Sequence, residues 1–372
     1  MFINSRKIIN LMEKLAPKKL AESWDNVGLI LGNDQVEIDK VMVALDITEA
    51  VVEEAVEKNV DLIITHHPLI FKGMKSITES TYHGKLIRRL IKEDIHVYAA
   101  HTNLDIATNG LNDYLATLLD LEQIELLEVT GKKNYYNVVT FVPKDNLEVL
   151  ENALYGIGVG RLGNYDECGF KVSGTGSFRP LQGASPAIGA IDHRESVDEV
   201  RLESIVTEEV LSKALSTLQQ AHPYETPAVH VTKLENISQP YGLGRVGRYA
   251  TPKASGEVVQ QLKTVLATDH IRVAGQLPDE IAKVGLCTGA GIDFVRSAKS
   301  SGCDIYITGD VKYHEAQLAE QLGICILDCG HYETENIYMD YLSQYLEKKC
   351  IQKNYEIRII KSESLENPLK VY

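Results

Sequence analysis

The sequence predicts a discontinuous three-layer α/β domain into which a ferredoxin-like domain is inserted. Apolar runs typical of strands alternate with amphipathic helical segments in the first third of the chain and again after residue 241. This alternation is typical of a mostly parallel sheet. Between the two parts, the order strand, helix, strand occurs twice, with Gly-, Ser- and Pro-rich hairpin material between the repeats. We expect residues 1–129 and 238–372 to form the larger domain and residues 130–237 to form the insertion.

The elements of the first third follow from the hydrophobic pattern. Each predicted strand is an apolar run, and each predicted helix repeats apolar residues at helical spacing. Thr48 is placed as an N-cap for the helix that follows it. The predicted strands are 40–47, 61–67 and 96–105, and the predicted helices are 48–60, 81–95 and 109–121.

Composition and charge narrow the function classes. With 44% apolar and 24% charged residues and no apolar run of about 18 residues, the chain is predicted to be a globular protein without a membrane span. The N-terminal segment lacks the apolar core of a signal peptide, so we expect a cytoplasmic protein. The formal net charge of −14 argues against direct nucleic-acid binding. The six cysteines form no CxxC pair and are expected to be reduced structural residues.

Titratable and metal-competent side chains follow the ends of five predicted strands. Ligands of open α/β sheets lie beyond the carboxyl ends of the strands, so these side chains are candidates for one site. They are Asp46, the pair His66 and His67, His101 with Asp105, Asp310 with His314, and His331 with Glu335.

The adjacent pair His66 and His67 is unusual, because neighbouring side chains of an extended strand point to opposite faces. The two imidazoles can serve one metal ion if the backbone turns, or two different ions, or one of them can be a packing residue. Four histidines and two carboxylates exceed the four ligands of a tetrahedral zinc. Two ions bridged by the carboxylates would use all six, which makes a dinuclear centre our hypothesis.

The ligand types limit the metal and the substrate. Nitrogen and oxygen ligands without thiolate suit Zn, Fe, Mn or Co, and Cys329 is not expected to be a ligand. Two divalent ions outweigh the charge of two carboxylates, so the site suits an anionic substrate such as a phosphate ester or nucleotide.

Further residues are assigned around this site. Asp310 either caps the helix that follows it or supports the site from behind the ligands, and His314 is a candidate for proton transfer. Asp25 and Asn26 are expected to shape a turn before Gly28, and a role at the pocket rim is the alternative. The segment CTGAGID (287–293) predicts a tight turn that lines the pocket and offers backbone amides to an anion. The segment AHPYETPAVHV (221–231) is interpreted as a structural loop that enters a strand.

Five motifs together resemble the YqfO/YbgI family, also called Nif-three-like proteins or GTP cyclohydrolase 1 type 2 homologues. They are WDNVG (24–28), THHPLIF (65–71), HTNLD (101–105), TGDVKYH (308–314) and DCGHYETE (328–335). The resemblance covers nearly the whole chain, including the insertion, which resembles the CutA- or PII-like module of the longer bacterial members.

The resemblance implies a site for two divalent metal ions per chain. Its ligands fall on His66, His67, His101, Asp105, His331 and Glu335. It also implies a toroidal homohexamer whose metal sites face an internal cavity.

Two functions of different classes follow. The first is a metal-dependent hydrolase that acts on a nucleotide-like or phosphorylated small molecule. The cyclohydrolase label of the family names a narrower activity within this class. The alternative is a regulatory or assembly protein that senses a metal or small molecule without turnover, as the PII-like insertion suggests.

Overall fold

The computed structural model describes residues 3–370, and the chain divides into two units. The main unit contains the chain up to Thr130 and again from Tyr241, and the inserted unit is Gly131–Pro240. Within residues 3–370, no helix is long and apolar enough to cross a membrane.

Strands and helices alternate through most of the main unit. The strands are β1 Ile3–Asn4, β2 Gly28–Leu31, β3 Glu37–Ile38, β4 Lys40–Ala44, β5 Leu62–Thr65, β6 His96–Ala99, β7 Glu122–Pro143, β8 Gly169–Phe178, β9 Glu195–Thr207, β10 Val229–Ala254, β11 Arg272–Ala274, β12 Glu280–Leu286, β13 Ile305–Thr308, β14 Cys325–Asp328 and β15 Arg358–Lys361. The α-helices are α1 Ser5–Leu15, α2 Glu49–Glu57, α3 Tyr82–Lys92, α4 Thr102–Ile106, α5 Leu111–Leu118, α6 Leu147–Tyr155, α7 Glu208–Ala221, α8 Ser255–Val265, α9 Val295–Ser300, α10 Tyr313–Leu322 and α11 His331–Gln352.

The first sheet of the main unit has the strand order β15-β4-β5-β6-β2, in which only the edge strand β2 is antiparallel to its neighbour. Its central strands are buried on both faces, which explains their continuous apolar sequences. In β4, Val41 and Val43 belong to one hydrophobic cluster, and Met42 and Ala44 belong to another on the opposite face.

The second sheet of the main unit contains β11-β14-β13-β12-β10, with β12, β13 and β14 parallel and with antiparallel strands on either side. Ile305 and Ile307 of β13 lie in one cluster, and Tyr306 between them lies in another. Both faces of each sheet are therefore buried.

Helices cover both faces of each sheet, so that each sheet is the middle layer of an α/β/α arrangement. Helices α2 and α3 pack on one face of the first sheet, and α9 and α10 pack on one face of the second. The remaining faces of both sheets share one large cluster with α1, α5, α8 and α11. The predicted α/β fold class is confirmed.

The inserted unit has the element order β7-α6-β8-β9-α7-β10 and the strand order β10-β7-β9-β8. This is the β-α-β-β-α-β order of a ferredoxin-like module. Helices α6 and α7 pack on one face of its sheet through a cluster that includes Leu150, Leu202 and Leu218. The strands β7 and β10 each begin in one unit and end in the other.

A buried carboxylate ties the C-terminal segment to α2. Glu54 accepts hydrogen bonds from the Lys58 ammonium, from the Ser362 hydroxyl at 2.6 Å, and from the backbone N–H groups of Glu363 and Ser364. Burial opposes ionisation of Glu54, but these donors outweigh it and lower the pKa of the carboxyl to about 2.

We therefore expect Glu54 to stabilise the fold in a pH-dependent manner. Because its folded-state pKa lies below the ordinary value, its contribution is present near neutrality and decreases as the pH falls from about 5 toward 2. Glu54→Ala should lower the free energy of unfolding at pH 7 by about 2 kcal/mol, and by less at pH 3. Urea unfolding at both pH values measures this, with exposed Glu53→Ala as the control. An equal loss at pH 7 and pH 3 would contradict the assignment.

Candidate metal centre

The side chains that follow four parallel strands meet within the main unit. Strands β5 and β6 belong to the first sheet, and β13 and β14 belong to the second. The residues just beyond these strands, together with the first turn of α11, supply the cluster described below. Both sheets thus contribute to one group of imidazoles and carboxylates.

The strand β5 ends at Thr65, so the alternation of side chains stops before the two histidines. The N–H of His67 donates to the carbonyl of Leu45 at 3.0 Å, and Nδ1 of His66 lies 2.8 Å from the carbonyl oxygen of Ala100. The two rings lie 5.3 Å apart between centroids. Both imidazoles therefore belong to the same cluster although they are adjacent in sequence.

The potential ligand atoms form two groups that share His67. Atoms of His66, His67 and His101 lie within 4.8 Å of one another, and so do atoms of His67, His331 and Glu335. Asp105 is close to the first group, with Oδ2 at 3.7 Å from Nε2 of His66. Five of the six predicted ligands are thus in these groups, and the sixth adjoins them.

Each imidazole is held from behind through its Nδ1 atom. Asp46 holds His67 at 2.8 Å, Asp310 holds His331 at 2.8 Å, and Asp25 holds His101 at 3.0 Å, while His66 uses the carbonyl oxygen of Ala100. Because ionised carboxylates and carbonyls only accept hydrogen bonds, the proton sits on Nδ1 of each ring. This arrangement leaves Nε2 as the ligand atom, as in metal-binding histidines that a carboxylate orients.

Glu335 lies where these Nε2 atoms converge. Its Oε2 atom is 2.9 Å from Nε2 of His67 and 3.0 Å from Nε2 of His331, and its Oε1 atom is 3.7 Å from Nε2 of His66. When the rings are neutral with Nδ1 protonated, lone pairs face lone pairs at these distances. A proton or a metal cation is needed between them.

Buried atoms without a hydrogen bond provide a test of whether a cation fits. Nε2 of His66 and Oε2 of Glu335 are fully buried and have no hydrogen-bond partner. Unpaired buried polar atoms are uncommon in folded proteins, and each calls for a partner such as a water molecule or an ion. Both atoms belong to the cluster, so the residues present fit a divalent cation.

The pKa shifts report the same attraction between imidazoles and carboxylates. Burial disfavours the charged form of His67, but Asp46 and Glu335 outweigh it and raise its pKa to about 10. The carboxylate of Glu335, whose Oε2 lies 3.0 Å from Nε2 of His331, raises the pKa of His331 to about 9. Burial also opposes ionisation of Glu335, yet the surrounding imidazoles, with His66 first, hold its pKa well below the usual range. The site therefore favours positive charge at Nε2.

Asp105, the ligand candidate that adjoins His66, belongs to a network of hydrogen bonds. Burial raises the pKa of Asp105. The Asn112 amide donates to the backbone carbonyl of Asp105 at 3.1 Å, and the backbone N–H of Thr288 donates to Asn112 at 3.0 Å. The segment 287–293 is therefore bound to the residues that follow β6.

This segment is a tight turn beside Glu335, and three of its amides donate to protein oxygens. The N–H of Thr288 donates to Asn112, that of Gly289 to Thr334 Oγ1, and that of Gly291 to Thr308 Oγ1. Protein oxygens thus already accept the hydrogen bonds of these three amides, so they are not available to an anion; anion binding by the remaining amides of the segment stays a prediction.

Asp310 and His314 differ in their surroundings. Asp310 has a left-handed backbone with φ of 58° and contacts His331, while Lys312 is the residue that precedes α10. The alternative that Asp310 caps this helix was wrong. His314 is exposed, and its described hydrogen bond joins Nδ1 to Gln317 of the same helix at 3.0 Å. The described contacts of His314 are with Gln317 and Tyr313, neither of which belongs to the cluster.

The sequence contains little indication that three further residues lie at the site. Asp25 was expected to shape a turn, yet its carboxylate is buried and its pKa is lowered to about 2, because His101 and Thr102 outweigh the effect of burial. His270 and Arg272 line a cavity of about 480 Å³ beside His331. No motif distinguishes these two residues, and only the fold places them there.

An aromatic edge flanks the cluster at His101. The rings of Trp24 and Phe71 are 5.7 Å apart, and they lie 6.1 and 6.4 Å from the His101 ring. Both are substantially exposed, with Trp24 at 56%. Exposed aromatic rings beside a polar cluster provide a flat surface for a planar ligand.

The fold and the cluster define an α/β protein that carries a candidate metal-binding site of imidazoles and carboxylates. Comparison with known proteins identifies the family. The family model Duf34/NIF3 (NGG1p interacting factor 3) matches residues 3–368, and the chain belongs to this family.

Relatives and solved structures extend this likeness over the whole chain. A GTP cyclohydrolase 1 type 2 homolog of Listeria innocua is 40% identical over 368 residues, covering 99% of this chain and 98% of the relative. A protein with the same name from Bacillus subtilis is 38% identical over 366 residues, with 98% of each covered. The crystal structure of a Bacillus cereus protein related to NIF3 matches with a TM-score of 0.91 at 36% identity and covers 100% of both chains. The predicted family resemblance is confirmed.

Gly289 provides a test of how tightly this turn is built against Glu335. Its φ is 64°, and an added Cβ would lie 2.1 Å from Oε1 of Glu335. Gly289→Ala should therefore destabilise the protein by about 2 kcal/mol or more.

Thermal or urea unfolding measures the effect. Gly256→Ala is a matched control, because its Cβ would meet nothing within 4 Å and it lies in helix α8, where alanine is preferred. Equal stability of Gly289→Ala and wild type would show that the turn and Glu335 are not packed as described.

Proposed function

We propose that this protein binds two divalent metal ions and is a metal-dependent hydrolase acting on a nucleotide-like or phosphorylated small molecule. The convergence of imidazole Nε2 atoms on the buried carboxylate of Glu335 carries the proposal. Each of these rings is oriented from behind, which is the arrangement of a prebuilt metal centre.

Six residues are proposed as the ligands. The two groups that share His67 support two ion positions, with Asp105 adjoining the first and Glu335 in the second; His67 would ligate one of the two ions, because Nε2 is its only free ring nitrogen. They are His66, His67, His101, Asp105, His331 and Glu335. Imidazole and carboxylate ligands suit Zn, Fe, Mn or Co.

The charges of the site support two ions in place of one. Five carboxylates surround four imidazoles, namely Asp25, Asp46, Asp105, Asp310 and Glu335. Asp46 and Asp310 are partly exposed, but Asp25, Asp105 and Glu335 are buried. With neutral rings and ionised carboxylates, one divalent ion does not compensate these three charges, whereas two ions do and leave a positive site for an anion.

The chain's own residues orient the reacting groups. Two divalent ions would supply Lewis acidity and lower the pKa of water at the site. Asp25, Asp46 and Asp310 act as positioning residues, because they fix the rings that would hold the metals. We assign no proton-transfer step to His314, whose described hydrogen bond lies within its own helix.

The surroundings support a substrate with a planar ring and an anionic group. Trp24 and Phe71 provide an exposed aromatic edge on which a nucleobase can stack. Arg272 and His270 line the cavity beside His331. The name of the relatives, GTP cyclohydrolase 1 type 2 homolog, agrees with a nucleotide-like substrate, and we propose this broader class.

We also propose that the chain forms a homohexamer, as the family resemblance implies. Mass photometry at low protein concentration should then give six times the 41.3 kDa of one chain. A monomeric or dimeric mass would contradict this assembly.

Metal content tests the ligand assignment. Protein purified without a metal-affinity tag should contain about two divalent ions per chain by elemental mass spectrometry. Glu335→Ala should lose at least one of them, because its carboxylate faces three imidazoles. Glu347→Ala lies exposed on the same helix and should keep both. Wild-type protein that takes up no metal after reconstitution would contradict the proposal.

Turnover tests the hydrolase part of the proposal separately. Protein loaded with each of the four metals is assayed with GTP and with p-nitrophenyl phosphate. We expect metal-dependent hydrolysis of at least one substrate that falls at least 100-fold in Glu335→Ala, an effect of about 3 kcal/mol on the barrier. A fully loaded protein that turns over neither substrate would contradict the hydrolase and favour a metal- or small-molecule-sensing role.

A further inference from the structure

The inserted unit contains a cavity of about 620 Å³ that the proposed hydrolase does not use. Its floor is the face of the sheet opposite α6 and α7. Leu202 of β9 packs against the helices, so that Glu199 and Arg201 lie on the other face. The volume lies within the range of small-molecule sites.

Two loops of the inserted unit form the roof, and hydrogen bonds hold them in place. The backbone N–H of Ser185, in the loop after β8, donates to Oε2 of Glu225, in the loop before β10, at 2.9 Å. The N–H of Asp192 donates to the carbonyl of Pro180 at 2.8 Å and closes the base of the first loop. The cavity is therefore bounded by ordered backbone.

Two glycines of β8 create the space at the floor. An added Cβ at Gly174 would meet nothing within 4 Å, and Gly174 lies directly opposite Glu199 in the sheet. An added Cβ at Gly176 would lie 2.0 Å from Oε2 of Glu199. Glycine at position 174 leaves the cavity open, and glycine at position 176 admits the carboxylate.

Three charged residues line this cavity, Glu199, Arg201 and Glu225, and of these Glu199 is the buried one. The residue is 8% exposed, and its Oε1 accepts a hydrogen bond from the hydroxyl of Tyr224 at 2.6 Å. Arg201 pairs with Glu203 at 2.7 Å, and within residues 3–370 no ion pair joins a cation to Glu199. A buried carboxylate whose described partner is a neutral hydroxyl favours the binding of a cation.

We propose that this cavity binds a small organic cation with an apolar or aromatic body. The body contacts Phe141, Val172 and Phe178, and the ammonium group donates to the carboxylate of Glu199. This site is independent of the metal centre, so metal content and turnover do not bear on it.

Calorimetric titration of the full chain tests the proposal with two pairs of probes that differ mainly in charge. Tryptamine and 2-phenylethylamine should bind, and indole-3-propionate and 3-phenylpropionate should bind at least tenfold more weakly. Gly174→Val fills the open space and Glu199→Gln removes the charge, so each should weaken the amines at least tenfold. Glu148→Gln, exposed on α6, should change the affinity less than twofold.

Gly174→Val should fold as wild type does, because its side chain enters open space on a strand. Circular dichroism and thermal melting check this. The proposal is overturned if neither amine binds, if amines and carboxylates bind equally, or if the two cavity variants bind as wild type does. A change in oligomeric mass on Gly174→Val with unaltered amine binding would assign the cavity to a second copy of the chain and would also overturn it.

Discussion

Hydrogen bonds that the Nδ1–H groups of four imidazoles donate to protein oxygens are the constraint on which the site depends. They fix the proton on one ring nitrogen and direct the other into the cluster. Three of the acceptors are carboxylates, Asp25, Asp46 and Asp310, and the fourth is the backbone carbonyl of Ala100. Without them, the rings would be free to rotate, and Glu335 would face no ordered set of nitrogen ligands.

The topology of the main unit explains why these groups meet. Parallel strands place their carboxyl ends at one edge, and each of the two sheets contributes histidines there. The shared hydrophobic cluster between the sheets includes α11, whose first residues are His331 and, one turn later, Glu335. Packing of apolar faces thus fixes the position of polar groups that would otherwise repel one another.

Much of the fold and of the cluster could be predicted from local sequence. Apolar runs identified β4, β5 and β6, and the spacing of His331 and Glu335 placed them on one helical face. The N-cap role predicted for Thr48 is also a local signal. It is confirmed, because the Thr48 side chain accepts a hydrogen bond from the N–H of Val51 at 3.2 Å at the start of α2. These features depend on a few neighbouring residues, and so the sequence displays them directly.

The remaining features depend on contacts between distant parts of the chain. Asp25 and His101 are 76 residues apart, and nothing in the segment around Asp25 indicates its partner. The turn that brings His66 and His67 together after Thr65 and the positive φ of Asp310 belong to the folded backbone. Three amides of the 287–293 turn donate to side-chain oxygens from distant parts of the chain, and the sequence does not show these partners.

Anomalous diffraction from crystals of the metal-loaded protein is the most direct test of the central claim. Data collected on both sides of the absorption edge of the bound metal locate each ion without reference to the ligands. The proposed two-ion centre should give two anomalous peaks, one among the ligand atoms of His66, His67 and His101 and one among those of His67, His331 and Glu335. No peak, a single peak, or peaks away from these residues would contradict it.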